Sequence, residues 1–119
     1  MGDETLIPKP WPWRDRPRVL LEHEDPLAAS HWALRLARRG YAVGICHGPH
    51  DGAACPLVAG DGCPAVEGAD VVVSALSAEH EAVVAALRRH RPQLPLVAGA
   101  PVPDDLLSRV GAALREAAP

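Results

Sequence analysis

Short aliphatic runs with no polar partner, Val19-Leu20-Leu21 and Val71-Val72-Val73, alternate with longer stretches whose apolar residues recur at helical spacing. Such runs suit strands covered on both faces, the condition of a parallel sheet, and the alternation of strand and helix requires right-handed crossovers. The expected fold is α/β: a small doubly wound parallel sheet of about four strands, order 2-1-3-4, with helices on both faces.

After the first run the charged stretch Glu22-His23-Glu24-Asp25 ends the expected strand. Asp25 can cap the following helix and Pro26 suits its first turn. Leu27, Ala29, Trp32, Ala33, Leu36 and Ala37 supply its apolar face, and Gly40, behind Arg38 and Arg39, is its left-handed stop. Tyr41, Val43 and Ile45 alternate into a second strand. Residues 46–68 hold prolines, glycines and all three cysteines, an ordered loop with room for one helical turn. A third strand over Val71 to Val73 leads to a helix opened by Ser77, Glu79 and Glu81 and carried to about Arg89 on Val83, Val84 and Leu87. The strand Leu94 to Ala98 follows. Pro103 and two acids then start a last helix facing inward through Leu106, Leu107, Val110 and Leu114.

A chain of 119 residues is long enough for one core and too short for two ordinary ones. Residues 18–119 are expected to form one domain, and residues 1–17, with Pro8, Pro10, Pro12 and Pro17, an extended arm. Trp11 and Trp13 in that arm either cover an open edge of the domain or bind a partner. The net charge of -3 excludes a nucleic-acid protein held by phosphate contacts. No apolar run approaches the ~18 residues of a membrane span, and the N-terminus lacks the basic start and apolar stretch of a signal peptide. The expectation is a cytoplasmic protein with reduced thiols and neither nucleic acid nor membrane as partner.

The stretch RVLLEHEDPLAASHWALRLARRGYAV, residues 18–43, resembles the opening of a response-regulator receiver domain. Residues 69–76, ADVVVSAL, are similar to that family's third strand, residues 88–100 to its helix and fourth strand, and residues 101–116 to its final helix. The resemblance implies a flavodoxin-like fold, signal transduction, and self-association through the face carrying the last helices. It also implies a phosphorylation site, with an acidic pair on Glu24 and Asp25 holding magnesium. The acceptor aspartate, however, falls on Ser74 or Ala75, the strand-four switch position on Ala98 or Gly99, and the only lysine, Lys9, lies in the arm. An acyl phosphate needs a carboxylate nucleophile and cations to neutralise its charge. Aspartyl phosphorylation is therefore expected to be lost, leaving Glu24 and Asp25 as a vestigial pair or as helix-start acids.

The cysteine loop carries the most specific chemical hint. Cys55-Pro-Leu-Val-Ala-Gly and Cys63-Pro-Ala-Val-Glu-Gly repeat a Cys-Pro-x-Val-x-Gly unit, and Cys46 is followed by His47 and His50. Three thiols and two imidazoles offer a Cys3His zinc set, or an iron-sulfur cluster completed by His47 or an outside ligand. The spacing is not that of a CxxC knuckle. A reversible disulfide and inert packing of small apolar side chains stand as alternatives. No glycine follows the first strand before Ser30, which excludes a dinucleotide-binding turn, and no Gly-x-Ser-x-Gly elbow is present.

Two functions follow as expectations. One is a non-catalytic, receiver-like regulatory or interaction module, not phosphorylated on aspartate, whose partner is another protein or a second copy. The other is a metal-binding or thiol-redox sensor working through the loop from Cys46 to Cys63. An enzyme with Cys46 as nucleophile and His47 as base is a third and lesser reading.

Overall fold

The protein is described by a computed structural model that covers residues 16–48, 58–60, 63–77, 79–99 and 102–117. In chain order the elements are β1 (Arg18–Glu22), α1 (Pro26–Arg38), β2 (Ala42–Cys46), α2 (Pro64–Gly68), β3 (Val71–Ser74), α3 (His80–His90), β4 (Leu96–Ala98) and α4 (Leu106–Ala117). The strands form one parallel sheet of order β2-β1-β3-β4. This is the doubly wound arrangement expected from the sequence, with a flavodoxin-like course.

Side chains alternate across the sheet, so each strand feeds two cores. Val19 and Leu21 of β1, Val71 and Val73 of β3 and Val97 of β4 meet Ala29 and Leu36 of α1 and Leu106 and Val110 of α4. On the opposite face Leu20 and Val72 meet Val66 of α2 and Val83, Ala86 and Leu87 of α3. β1 and β3 lie between other strands and under helices on both sides, which leaves them almost no solvent-facing position.

The end of the sheet where the strands start is tied by polar contacts. The Arg18 backbone N–H and Nε donate to Asp70 Oδ2 at 2.8 and 3.1 Å, joining the starts of β1 and β3. Five residues are too few for a helix to stand alone, and α2 is held from α3. Arg91 donates to the carbonyls of Val66 (2.7 Å), which also accepts from the Ala69 N–H, and of Ala69 (3.0 Å), tying the end of α2 to α3. His90 pairs with Glu67 beside it.

The elements depart from the sequence expectations at their ends. β1 runs on through Glu22, β4 begins at Leu96, α3 begins at His80, and α4 begins at Leu106, behind a turn at Asp104 and Asp105. Leu27 does not join the apolar face of α1. It stands nine residues from the fully buried Leu36, about 180° around the helix, and is 82% exposed. Ala37 is exposed as well. Leu36→Ala is expected to cost about 3 kcal/mol through loss of buried methyl groups and the cavity left behind. Leu27→Ala is expected to change stability by less than about 0.5 kcal/mol. Urea denaturation of the two variants checks both values.

Candidate functional site

The carboxyl ends of the parallel strands form a mouth, the place where ligands collect in open α/β sheets. The strand register sets Cys46, Glu22, Ser74 and Ala98 side by side across β2, β1, β3 and β4. All four fall on the α2/α3 face. Glu22, Ser74 and Ala98 each follow by two residues a side chain packed there, Leu20, Val72 and Leu96, and Cys46 packs there itself.

Glu22 and Ser74 are the buried polar residues of the described core, exposed by 4% and 0%. Glu22 Oε1 and Ser74 Oγ have no hydrogen-bond partner among the described residues. Desolvation pushes the Glu22 carboxyl from an ordinary 4.5 up to about 7, and the adjacent Ser74 hydroxyl opposes the rise. The two side chains are neighbours without a hydrogen bond of ordinary geometry, so the hydroxyl only tempers the effect of burial. Near neutral pH the group is a mixture of acid and carboxylate.

The residues around this row are engaged in holding the mouth. Glu24 Oε1 accepts from the Ser77 hydroxyl at 2.6 Å and from its backbone N–H at 3.2 Å, linking the segments that follow β1 and β3. Asp25 is the N-cap of α1, its Oδ1 accepting from the Leu27 N–H at 3.0 Å. The two acids therefore serve separate local structures. His23 Nδ1 accepts from the Asp25 N–H at 3.1 Å, which places any ring hydrogen of the neutral form on Nε2. His47 Nδ1 donates to the His23 carbonyl at 3.0 Å, and the Gly48 N–H donates to Cys46 Sγ at 3.4 Å.

The chain leaving β2 presses on the segment that follows β3. Gly48 has φ 81°, a conformation that favours glycine, and a Cβ there would lie 2.7 Å from a Leu76 methyl, so a larger residue would have to displace that side chain. Cys46, Val58 and Cys63 all pack against the core that contains Leu76. Cys63 is the N-cap residue of α2. Both described thiols are half-buried and unbridged. Cys55 and His50, like Trp11 and Trp13, lie outside the described residues. Among the described residues no three His, Cys, Asp or Glu side chains are grouped to hold a metal ion.

Sequence reasoning does not single out Glu22 as a buried group. Glu22 was read as the first residue of a charged stop because three further polar or charged residues follow it. The available signal was its two-residue spacing from Leu20 in a strand with no solvent face. Comparisons with protein-family models, curated proteins and solved structures return no match for this chain.

The raised Glu22 pKa fixes the sign of a pH effect. The unfolded chain releases this proton near 4.5 and the folded chain near 7, so between those values the folded state binds more protons. The stabilisation is complete below about pH 4.5 and is lost as pH rises to about 7, amounting to no more than about 3 kcal/mol. Glu22→Gln is expected to remove this slope from a plot of unfolding free energy against pH. Asp25→Ala is expected to cost about 1 kcal/mol through loss of the α1 cap, read by urea denaturation.

Proposed function

We propose that this chain is a receiver-like regulatory and interaction module that does not work by aspartyl phosphorylation. The observation that carries the reading is the end of β3, where Ser74 and Ala75 are both buried and neither offers a carboxylate nucleophile. Glu24 and Asp25 add to it: one acid holds Ser77 and the other caps α1. Neither the acceptor nor an acidic metal cradle is assembled among the described residues. The scaffold around this altered end keeps its parallel sheet.

Support for the interaction half comes from α1. Leu27 and Leu34 are 82% and 52% exposed and stand seven residues apart, on one side of the helix. Ile45 on the neighbouring edge strand β2 is 38% exposed. Apolar side chains grouped on a surface in this way suit a protein partner.

A second reading assigns the work to the cysteine loop, as a thiol-redox or metal sensor. It is favoured by Cys46 and Cys63 packing against one and the same core although 17 positions separate them in sequence.

The test of the first reading is incubation with acetyl phosphate and magnesium, followed by intact-mass analysis. The expected result is no phosphoryl adduct; an adduct labile to hydroxylamine would show that a carboxylate accepts phosphate and would sink the reading. The second reading is checked by metal analysis of protein purified under reducing conditions without chelator. It expects about one zinc per chain or iron-sulfur absorption, or, with no metal present, a reversible disulfide on exposure to oxidised glutathione. Neither result would leave the cysteines as packing residues.

A further inference from the structure

The polarity of the fold sorts charge between the two ends of the sheet. Crossover helices run antiparallel to the strands, so their starts lie at the mouth and their ends lie where the strands begin. Acids sit at or before the starts: Asp25 at α1, Glu79 and Glu81 at α3, and Asp104 and Asp105 before α4. Arginines sit at the ends: Arg35 and Arg38 in α1, Arg88 and Arg89 in α3, and Arg115 in α4. Glu67 and Asp70, at that basic end, are already paired, with His90 and with Arg18.

An open groove of about 520 Å³ lies at the basic end. It is bounded by Asp70 ahead of β3, by the turn that joins α3 to β4, and by Ala117 at the end of α4. Its volume suits a small molecule. The turn is fixed locally: the Leu94 N–H donates to the Arg91 carbonyl at 3.0 Å, and the Pro95 carbonyl accepts from the Val72 N–H at 3.0 Å. Two prolines, Pro92 and Pro95, restrict its backbone further. With the half-buried Leu94 they make this wall of the groove apolar, and the exposed Gln93 lies between them.

Arg91 brings a positive charge to the groove with half of its donors unspent. Its Nη1 donates to the carbonyls of Val66 at 2.7 Å, Ala69 at 3.0 Å and Glu67 at 3.3 Å. Among the described residues nothing bonds to its Nε or Nη2. Those two nitrogens form one edge of the guanidinium, the edge that Arg18 turns to Asp70, with Nε at 3.1 Å and Nη2 at 3.4 Å. Its parallel N–H groups match the two oxygens of a carboxylate. Because Nη1 already holds the group in place, a ligand has little side-chain freedom to freeze out. The carbonyls at the end of α2, which would repel an anion, are the ones that Nη1 covers.

We propose that this groove binds a small aliphatic carboxylate, with its carboxyl bidentate on Nε and Nη2 of Arg91 and its hydrocarbon along Pro92, Leu94 and Pro95. The neighbouring charges of Arg88, Arg89 and Arg115 raise the local concentration of such an anion. The bound molecule bridges the end of α2, the turn after α3 and the end of α4, and so stabilises that end of the fold. The site goes beyond the regulatory reading above. It stands at the opposite end of the sheet from the mouth and depends neither on the phosphorylation result nor on the cysteines.

The test is an NMR titration of the isotope-labelled full chain with isovalerate, reading backbone amides and the Arg91 Nε resonance. Saturable shifts centred on Asp70, Arg91, Gln93 and Leu94 are expected, with a dissociation constant on the order of 1 mM for a ligand of this size. Isovaleramide, which has the same hydrocarbon without the charge, should bind about tenfold more weakly. Acetate, which has the charge with almost no hydrocarbon, should also bind about tenfold more weakly. Arg91→Lys keeps the charge but loses the fork, and should weaken isovalerate binding about tenfold. Gln93→Glu sets a like charge in the groove while leaving the contacts of Arg91 in place, and should weaken binding about threefold or more. This exposed substitution carries the test should Arg91→Lys not fold. The absence of saturable shifts would overturn the site. So would equal binding of the amide and the acid, or unchanged affinity in either folded variant.

Discussion

The burial of β1 is the constraint on which the remainder depends. A strand with neighbours on both edges and helices on both faces has no direction in which a side chain can reach water. For Val19, Leu20 and Leu21 that is stabilising. For Glu22, the last residue in the same strand, it means a carboxyl enclosed with one hydroxyl beside it and an oxygen without a partner among the described residues. The register then determines its company, because parallel pairing places Cys46 and Ser74 at the same level.

The helices impose a second regularity. Their antiparallel course puts acids at the mouth, where helix starts favour negative charge, and arginines at the far end, where helix ends favour positive charge. Each helix gains locally from this arrangement. The Glu22 carboxyl stands at that mouth, and its raised pKa comes from burial.

Much of this was legible in the sequence. Aliphatic runs marked β1 and β3, alternation marked β2, Pro26 and Gly40 bracketed α1, and Asp25 was readable as a cap, while the strand order is that of the flavodoxin-like course the resemblance implies. Cys46, expected to open the loop, is the last residue of β2, and the helical turn allowed within the loop is α2. What escaped were quantities that pairing and packing decide. Glu22 looks like a surface acid until β1 is known to extend through it. Leu27 looks like a core residue until the helical phase is measured from Leu36. Ser77 looks like a helix start, yet its hydroxyl is taken by Glu24 from across the mouth and α3 waits until His80. Each depends on a contact made over a long span of chain, which local pattern does not encode.

The account turns on the protonation state of one side chain, and that state can be observed directly. A pH titration of the Glu22 side-chain carboxyl carbon by NMR, in protein labelled at glutamate, reports ionisation at the atom itself. The account predicts a midpoint near 7. A midpoint at the ordinary 4.5 would show the carboxyl to be solvated or paired in the folded chain and would contradict the central claim.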